Sequence, residues 1–212
     1  MQNDLFSSIA PEMEKIADGV HYFRNYVDGD LFFEQIMEVA RIIPFRHMVT
    51  PGGKRINVAG TSMGDAGWYS DRRGYRYEKS DPLSGKDWPP IPKNINHIIS
   101  EAAAKAGYEN FNADSCFINR YQPGVQLTQH QDQDEQDFSQ PIVSVSLGVS
   151  AIFQLYGDIR GGTAYNIPLH HCDLLIFGGP ARKYFHSVKK LKTDNHPLTG
   201  DKRYNLTFRK AF

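Results

Sequence analysis

Two stretches of the chain carry a helical rhythm. In "DGDLFFEQIMEVARIIP" apolar residues fall at Leu31, Phe32, Ile36, Val39 and Ala40, steps of three and four that gather on one helix face. Pro44 closes the run. "INHIISEAAAKAG" repeats the pattern with Ile95, Ile98, Ile99 and Ala102, and Gly107 is its stop. The first two dozen residues show no such rhythm and are expected to form an irregular arm. After Gly107 the pattern changes. "SCFINRYQ", "PIVSVSLGVSAIFQLYG", "YNIPLHHCDLLIFGG" and "RYNLTFRKAF" are β-branched, apolar or aromatic runs set apart by Gly, Pro and Asp, the mark of short strands. The expectation is an α+β chain, helices first, whose second half is an antiparallel sandwich or barrel.

Composition narrows the picture. With 212 residues and 40% hydrophobic content, one compact domain spanning 1–212 has ample core material. A formal net charge of zero excludes a polycation that coats nucleic acid through its overall charge, though not a local basic patch. Two cysteines, Cys116 and Cys172, form neither a disulfide framework nor a CxxC pair, so a reducing cytoplasm is expected. The amino-terminal sequence has no signal-peptide pattern, and no apolar run approaches the roughly 20 residues of a membrane helix. A cytoplasmic monomer without membrane contact is the expectation.

The chemistry is concentrated in "LTQHQDQDEQDF", where one histidine meets four acidic residues. On an extended segment His130 and Asp132 point the same way, their α-carbons roughly 6–7 Å apart, which suits two ligands on one ion. Asp134 continues that face. A second histidine would complete a two-His-one-carboxylate set, whose open coordination positions suit non-haem Fe(II) oxygenases. His170, His171, His186 and His196 are available downstream. His186 is favoured because it follows the apolar run "LLIFGG" and can return on a strand beside the first pair. The alternative is a surface loop with one exposed histidine.

In "RYNLTFRK", alternation puts Arg203, Asn205, Thr207 and Arg209 on one strand face and Tyr204, Leu206 and Phe208 on the other. One reading is an amphipathic strand with a wet polar face. The other is a pair of guanidiniums facing a small dianion, with Asn119 and Tyr121 of "INRYQ" as neutral partners. A facial triad beside paired arginines implies 2-oxoglutarate. The motifs "NRYQPG", "HQDQDE", "PIVSVSLG", "AIFQ" and "RYNLTFR", in this order, resemble the AlkB family of Fe(II)/2-oxoglutarate dioxygenases from about residue 20 to the end.

The resemblance implies a double-stranded β-helix, or jelly-roll, core with flanking N-terminal helices. It implies Fe(II) on His130, Asp132 and His186. The 2-oxoglutarate contacts would be Asn119, Tyr121, Arg203, Asn205 and Arg209, with O2 as the other co-substrate. One departure stands out: the family usually has glycine where this chain has Cys172, in a turn whose geometry is thereby in question.

Residues 45–90 are expected to form a nucleotide-recognition lid. Their "TPGGKR" and "GWYSDRRGYRYEK" combine loose backbone, phosphate-attracting arginines and stacking faces, a pairing that suits single-stranded nucleic acid. A second basic cluster, "RKYFHSVKKLK", surrounds His186. The alternative is a plain surface hairpin with tyrosines packed inward. By resemblance, Trp68 and Tyr75 contact a flipped base, with Trp68 stacking on it against His186. Asp134 would read the exocyclic amine of a cationic base, with Glu135 and Arg160 supporting the pocket or a flanking nucleotide. The implied activity is removal of N-methyl groups from N1-methyladenine and N3-methylcytosine in single-stranded DNA, releasing formaldehyde, succinate and CO2. Three alternatives are the same chemistry on tRNA or another RNA, a nucleic-acid-binding jelly roll without turnover, and a zinc hydrolase. The last offers no role for the Arg203/Arg209 face.

Overall fold

The computed structural model describes residues 13–212. The chain runs β1 (Met13–Ala17), β2 (Val20–Phe23), α1 (Gly29–Ile42), β3 (Ala59–Gly64), β4 (Gly67–Asp71), β5 (Gly74–Glu78) and α2 (Lys93–Lys105). It continues through β6 (Ser115–Tyr121), β7 (Leu127–His130), β8 (Ile142–Gly148), β9 (Ala151–Gly157), β10 (Tyr165–Leu169), β11 (Leu174–Phe177), β12 (Phe185–Val188) and β13 (Arg203–Arg209).

Seven strands form one sheet in the order β1-β2-β11-β8-β13-β6-β3, and four form a second in the order β10-β9-β12-β7. Neighbours in both sheets are antiparallel. The inner faces enclose one core: Tyr121, Ile142, Leu175 and Phe177 from the large sheet pack with Phe153, Leu155, Ile167 and Val188 from the small one. This is the two-sheet jelly roll that the motifs imply.

The helices cover the outer face of the large sheet. Both form where the apolar spacing places them. Phe32, Ile36 and Val39 of α1 and Ile95, Ile99 and Ala102 of α2 are buried against Val143, Val145, Leu147, Leu206 and Phe208. Each fully buried aliphatic or aromatic side chain contributes roughly 1.5–3 kcal/mol. Asp28 caps α1 by accepting from the backbone N–H groups of Asp30 and Leu31, and Gly107, at φ +94°, turns the chain after α2.

The alternation on the central strands decides where the site can form. Tyr204, Leu206 and Phe208 of β13 belong to the helix-covered core. Arg203, Asn205, Thr207 and Arg209 therefore face the interior between the sheets, and all four are buried. The wet polar face is thus overturned: the second sheet covers it.

Two expectations are corrected. Residues 1–12 of the expected arm lie outside the described residues, but Met13–Phe23 is a hairpin, and β2 pairs with β11 inside the large sheet. Its strands are too short to show a period. The signal that marks them is Asp18-Gly19, a hairpin dipeptide with Gly19 at φ +74°. The order "helices first" also fails, because five strands precede α2.

The Cys172 turn takes the conformation that glycine favours. Cys172 has φ +67°, a region that disfavours a β-carbon. Tertiary hydrogen bonds hold it there: its N–H donates to the Ser146 carbonyl at 2.8 Å, and its own carbonyl accepts from Tyr26 at 2.8 Å and Val27 at 3.3 Å. Neighbouring Asp173 accepts from the Tyr22 hydroxyl and from the backbone N–H groups of Asn25 and His170. Cys172→Val, adding β-branching at positive φ, is expected to lower unfolding free energy by about 1–3 kcal/mol, whereas Cys172→Gly should be tolerated at least as well as wild type. Urea unfolding checks this; the reverse order would mean that the side chain's contacts outweigh its backbone strain.

Candidate metal centre

β7 and β12 pair so that His130 and His186 are direct cross-strand partners. Their rings lie 4.3 Å apart. Asp132 follows two residues beyond β7, with its carboxylate 3.7 Å from His130 Nε2 and 3.8 Å from His186 Nε2. One donor atom from each of the three residues lies within 4.8 Å of the others. Both imidazoles are oriented from behind. His130 Nδ1 is 2.8 Å from the Thr128 carbonyl and His186 Nδ1 is 3.0 Å from the Tyr184 carbonyl. A carbonyl only accepts, so each Nδ1 carries the proton and each Nε2 presents a lone pair inward, the tautomer a metal requires.

The electrostatics agree. Burial depresses His186 to a pKa of about 4, with the His130 charge adding to the effect, so it is neutral and ready to ligate near pH 7. Burial alone would raise the Asp132 carboxyl, but Arg209, His186 and His130 outweigh it and hold the group far below the usual carboxylate range. Arg209 Nη2 donates to Asp132 Oδ2 at 2.9 Å. Two imidazoles with inward Nε2 atoms and one ionised carboxylate fit a divalent ion with open coordination positions.

Behind this triad, a cavity is walled by Asn119, Tyr121, Ser144, Asn205, Thr207 and Arg209, together with the three candidate ligands. Strand register explains the grouping: Asn205 pairs with Asn119 and Arg203 with Tyr121 across β13 and β6. Arg203 stands one layer back, its guanidinium 5.0 Å from the Tyr121 ring centroid. It is 1% exposed. Its Nη2 donates to Ser146 Oγ at 3.0 Å, while its Nε and Nη1 and the Tyr121 hydroxyl have no partner. No carboxylate among the described residues pairs with it. Unsatisfied buried donors on a fixed cation match a dicarboxylate that arrives as a ligand.

β4 and β5 form a separate hairpin inside the expected lid segment. Trp68 and Tyr75 are nearly parallel, with centroids 5.7 Å apart at 14°, and Tyr75 is exposed. Trp68 Nε1 donates to Asp134 Oδ2 at 2.7 Å. Asp134 therefore lies against the hairpin, and burial raises its carboxyl while the indole N–H partly offsets that. The inward-packing alternative holds for some tyrosines only: Tyr69 is buried and Tyr77 donates to Glu135, but Tyr75 points out. Glu135 lies in the interior, paired with Arg182 at 2.8 Å, so the structure places it beneath the pocket rather than in it. Arg160 is beside β7, donating to the Gln129 carbonyl at 3.2 Å with its guanidinium 4.8 Å from the Phe185 ring.

The other histidines are elsewhere. His171 lies against His196, with ring centroids 4.2 Å apart and planes tilted by 40°, and His170 contacts Ser150. Sequence reasoning missed Arg182, whose side chain is buried behind the metal loop. Nothing in "PARKYF" separates it from the surface basic cluster, because its burial depends on Glu135, far away in sequence.

His186→Gln, removing one ligand while keeping a polar side chain, is expected to weaken Mn2+ binding by roughly 100-fold or more without altering the far-UV circular dichroism. Titration calorimetry reads the loss; unchanged affinity would remove His186 from the site.

Comparison with known proteins agrees with this geometry. The model of the 2OG-Fe(II) oxygenase superfamily matches residues 19–209. The chain is 46% identical over 210 residues to "Alpha-ketoglutarate-dependent dioxygenase AlkB" of Salmonella typhimurium, covering 98% of this chain and 97% of that one. It is 44% identical over 210 residues to the protein of the same name from Escherichia coli, again covering 98% and 97%. A solved structure, "The structure of OsALKBH1", matches with a TM-score of 0.80 at 25% identity, over 94% of this chain and 100% of that chain. Members of this superfamily use Fe(II), 2-oxoglutarate and O2, and the donor set found here suits the metal. Identity at this level along nearly the full length of both chains leads to one conclusion: the chain belongs to the AlkB family of Fe(II)- and 2-oxoglutarate-dependent dioxygenases.

Proposed function

We propose that this protein oxidatively demethylates N-alkylated bases, N1-methyladenine and N3-methylcytosine, in single-stranded DNA. The observation that carries the substrate class is the Trp68–Asp134 hydrogen bond at 2.7 Å. It brings an aromatic face and a carboxylate together, two residues along the chain from the metal ligand Asp132. A methylated, cationic base gains from both: the ring face favours a cation, and the carboxylate attracts it more strongly in a partly desolvated setting than in water. A neutral base gains only the stacking. The relatives' names, as α-ketoglutarate-dependent dioxygenases, fit the same chemistry.

When bound, Fe(II) with 2-oxoglutarate and O2 supplies the oxidation of the N-methyl carbon, which leaves as formaldehyde while 2-oxoglutarate becomes succinate and CO2. The chain's own residues arrange the partners. His130, Asp132 and His186 hold the metal through Nε2, a carboxylate oxygen and Nε2. Arg203 and the Tyr121 hydroxyl hold the far carboxylate of the co-substrate, while Asn119 and Asn205 line its path and Arg209 steadies the iron-facing end through Asp132. Trp68 and Tyr75 stack on the extruded base, Asp134 accepts from its exocyclic amine, and Arg160 meets the flanking phosphate. Glu135 supports the pocket from below.

The region 45–90 acts as the lid of a single domain. A cytoplasmic monomer is the working form in this proposal; no helix among the described residues is long and apolar enough to cross a membrane.

The test is mass spectrometry of a single-stranded DNA oligonucleotide carrying one N1-methyladenine, incubated with protein, Fe(II), 2-oxoglutarate and O2, beside the RNA oligonucleotide of the same sequence. Loss of one methyl group from the DNA, dependent on all three additions, is expected. Succinate formation with both oligonucleotides intact would contradict the substrate assignment, and faster loss from RNA would move the preference to RNA. Trp68→Ala is expected to reduce demethylation at least about tenfold, from lost base stacking, while sparing much of the 2-oxoglutarate turnover that occurs without substrate.

A further inference from the structure

A buried ionic chain lies behind Asp132, and neither metal ligation nor base stacking accounts for it. Glu135 is 6% exposed and Arg182 3%. Glu135 Oε2 accepts from Arg182 Nη2 at 2.8 Å. Its Oε1 accepts from the Tyr77 hydroxyl at 2.6 Å and faces Arg209 Nε at 3.1 Å. Arg209 in turn reaches Asp132 Oδ2 at 2.9 Å. Arg182 closes the circuit: Nη1 donates to the Asp132 main-chain carbonyl and Nε to the Gln140 carbonyl, both at 3.1 Å. Phe138 lies under this guanidinium at 5.2 Å.

Asp132 is thus gripped at two points, its carboxylate by Arg209 and its backbone by Arg182. Glu135 joins the two arginines. The grip matters because residues 131–135 belong to no strand, so no sheet ladder fixes Asp132 relative to His130 and His186. A buried guanidinium with three separate acceptors can supply the rigidity that the ladder does not. Glu135 also divides the positive charge of Arg209, which would otherwise fall wholly on the carboxylate that must bind the metal.

We propose that Glu135 and Arg182 are positioning residues of the metal centre: they hold the loop after β7 so that Asp132 completes the site with the two histidines. This rests on the assignment of His130, Asp132 and His186 as ligands. It gives Glu135 a role different from contact with substrate. Partners that orient metal ligands typically change affinity by roughly 10–100-fold when altered.

The test is Mn2+ binding to the metal-free protein by titration calorimetry, with thermal unfolding measured in parallel and no turnover involved. Arg182→Lys keeps the charge but cannot reach the Asp132 carbonyl, the Gln140 carbonyl and Glu135 together. Glu135→Gln keeps the shape but removes the charge between the arginines. Each is expected to weaken Mn2+ binding roughly 10- to 100-fold. Tyr22→Phe, which removes a buried hydrogen bond to Asp173 away from the metal loop, serves as the control: it should lower the unfolding temperature and leave Mn2+ affinity unchanged. If Glu135→Gln does not fold, Arg182→Lys carries the test. Affinity within about twofold of wild type, less than the range expected for such partners, in a folded Arg182→Lys protein overturns the proposal. If wild type binds no Mn2+, or His130→Ala binds it as well as wild type, the ligand assignment fails and the proposal with it.

Discussion

A guanidinium buried between two sheets needs partners, and within the described chain Arg203 makes one hydrogen bond of regular geometry, to Ser146, with the Tyr121 hydroxyl close by. Ser146 satisfies a single N–H, while Nε, Nη1 and the neighbouring Tyr121 hydroxyl remain open. Leaving buried polar groups unpaired costs of order 1–3 kcal/mol each, more for charged groups. Burial depresses the Arg203 pKa, yet the nearby Tyr121 oxygen works the other way, and a guanidinium remains charged in proteins. The fold therefore holds a positive charge between the sheets with no carboxylate paired to it among the described residues, which suits the anionic co-substrate proposed above. The cavity wall, the metal triad and the order of strands make sense around that requirement.

β13 is where sheet geometry becomes chemistry. It lies between β8 and β6 in the large sheet, so its backbone is paired on both edges and its side chains are fixed in alternation. Leu206 and Phe208 hold the strand to the helices. That anchoring points Arg203 and Arg209 inward, where Arg203 lies buried beside Tyr121 and Arg209 holds Asp132. The small sheet brings His130 and His186 opposite this strand. Only Asp132 comes from a segment without ladder support, and it is there that the arginine–glutamate circuit gathers.

Much of this was legible in the sequence. The two helices appear as spacing, because an apolar stripe on one face is a requirement of packing. The alternation of "RYNLTFR" gave both faces of β13 correctly, although alternation alone could not say that the polar face is covered; that depends on a second sheet far away in sequence. Likewise His130 and Asp132 are readable as neighbours, and the apolar run before His186 favours it among four later histidines; the β7–β12 register sets it directly opposite His130. The hairpin of β1 and β2 escaped because strands of four or five residues carry too little periodicity, and its Asp18-Gly19 turn was the only local sign. Cys172 was visible as an odd residue for its turn, and the φ of +67° shows why: three backbone hydrogen bonds, all to distant segments, impose the conformation. Arg182 was not legible at all, since its burial is decided by Glu135.

The most direct measurement is a crystal structure of the protein grown with Mn2+ and 2-oxoglutarate. The account predicts the metal on His130, Asp132 and His186, with the far carboxylate of 2-oxoglutarate accepting from Arg203 Nε or Nη1 and from the Tyr121 hydroxyl. A dicarboxylate bound elsewhere, with Arg203 still unpaired, would contradict it.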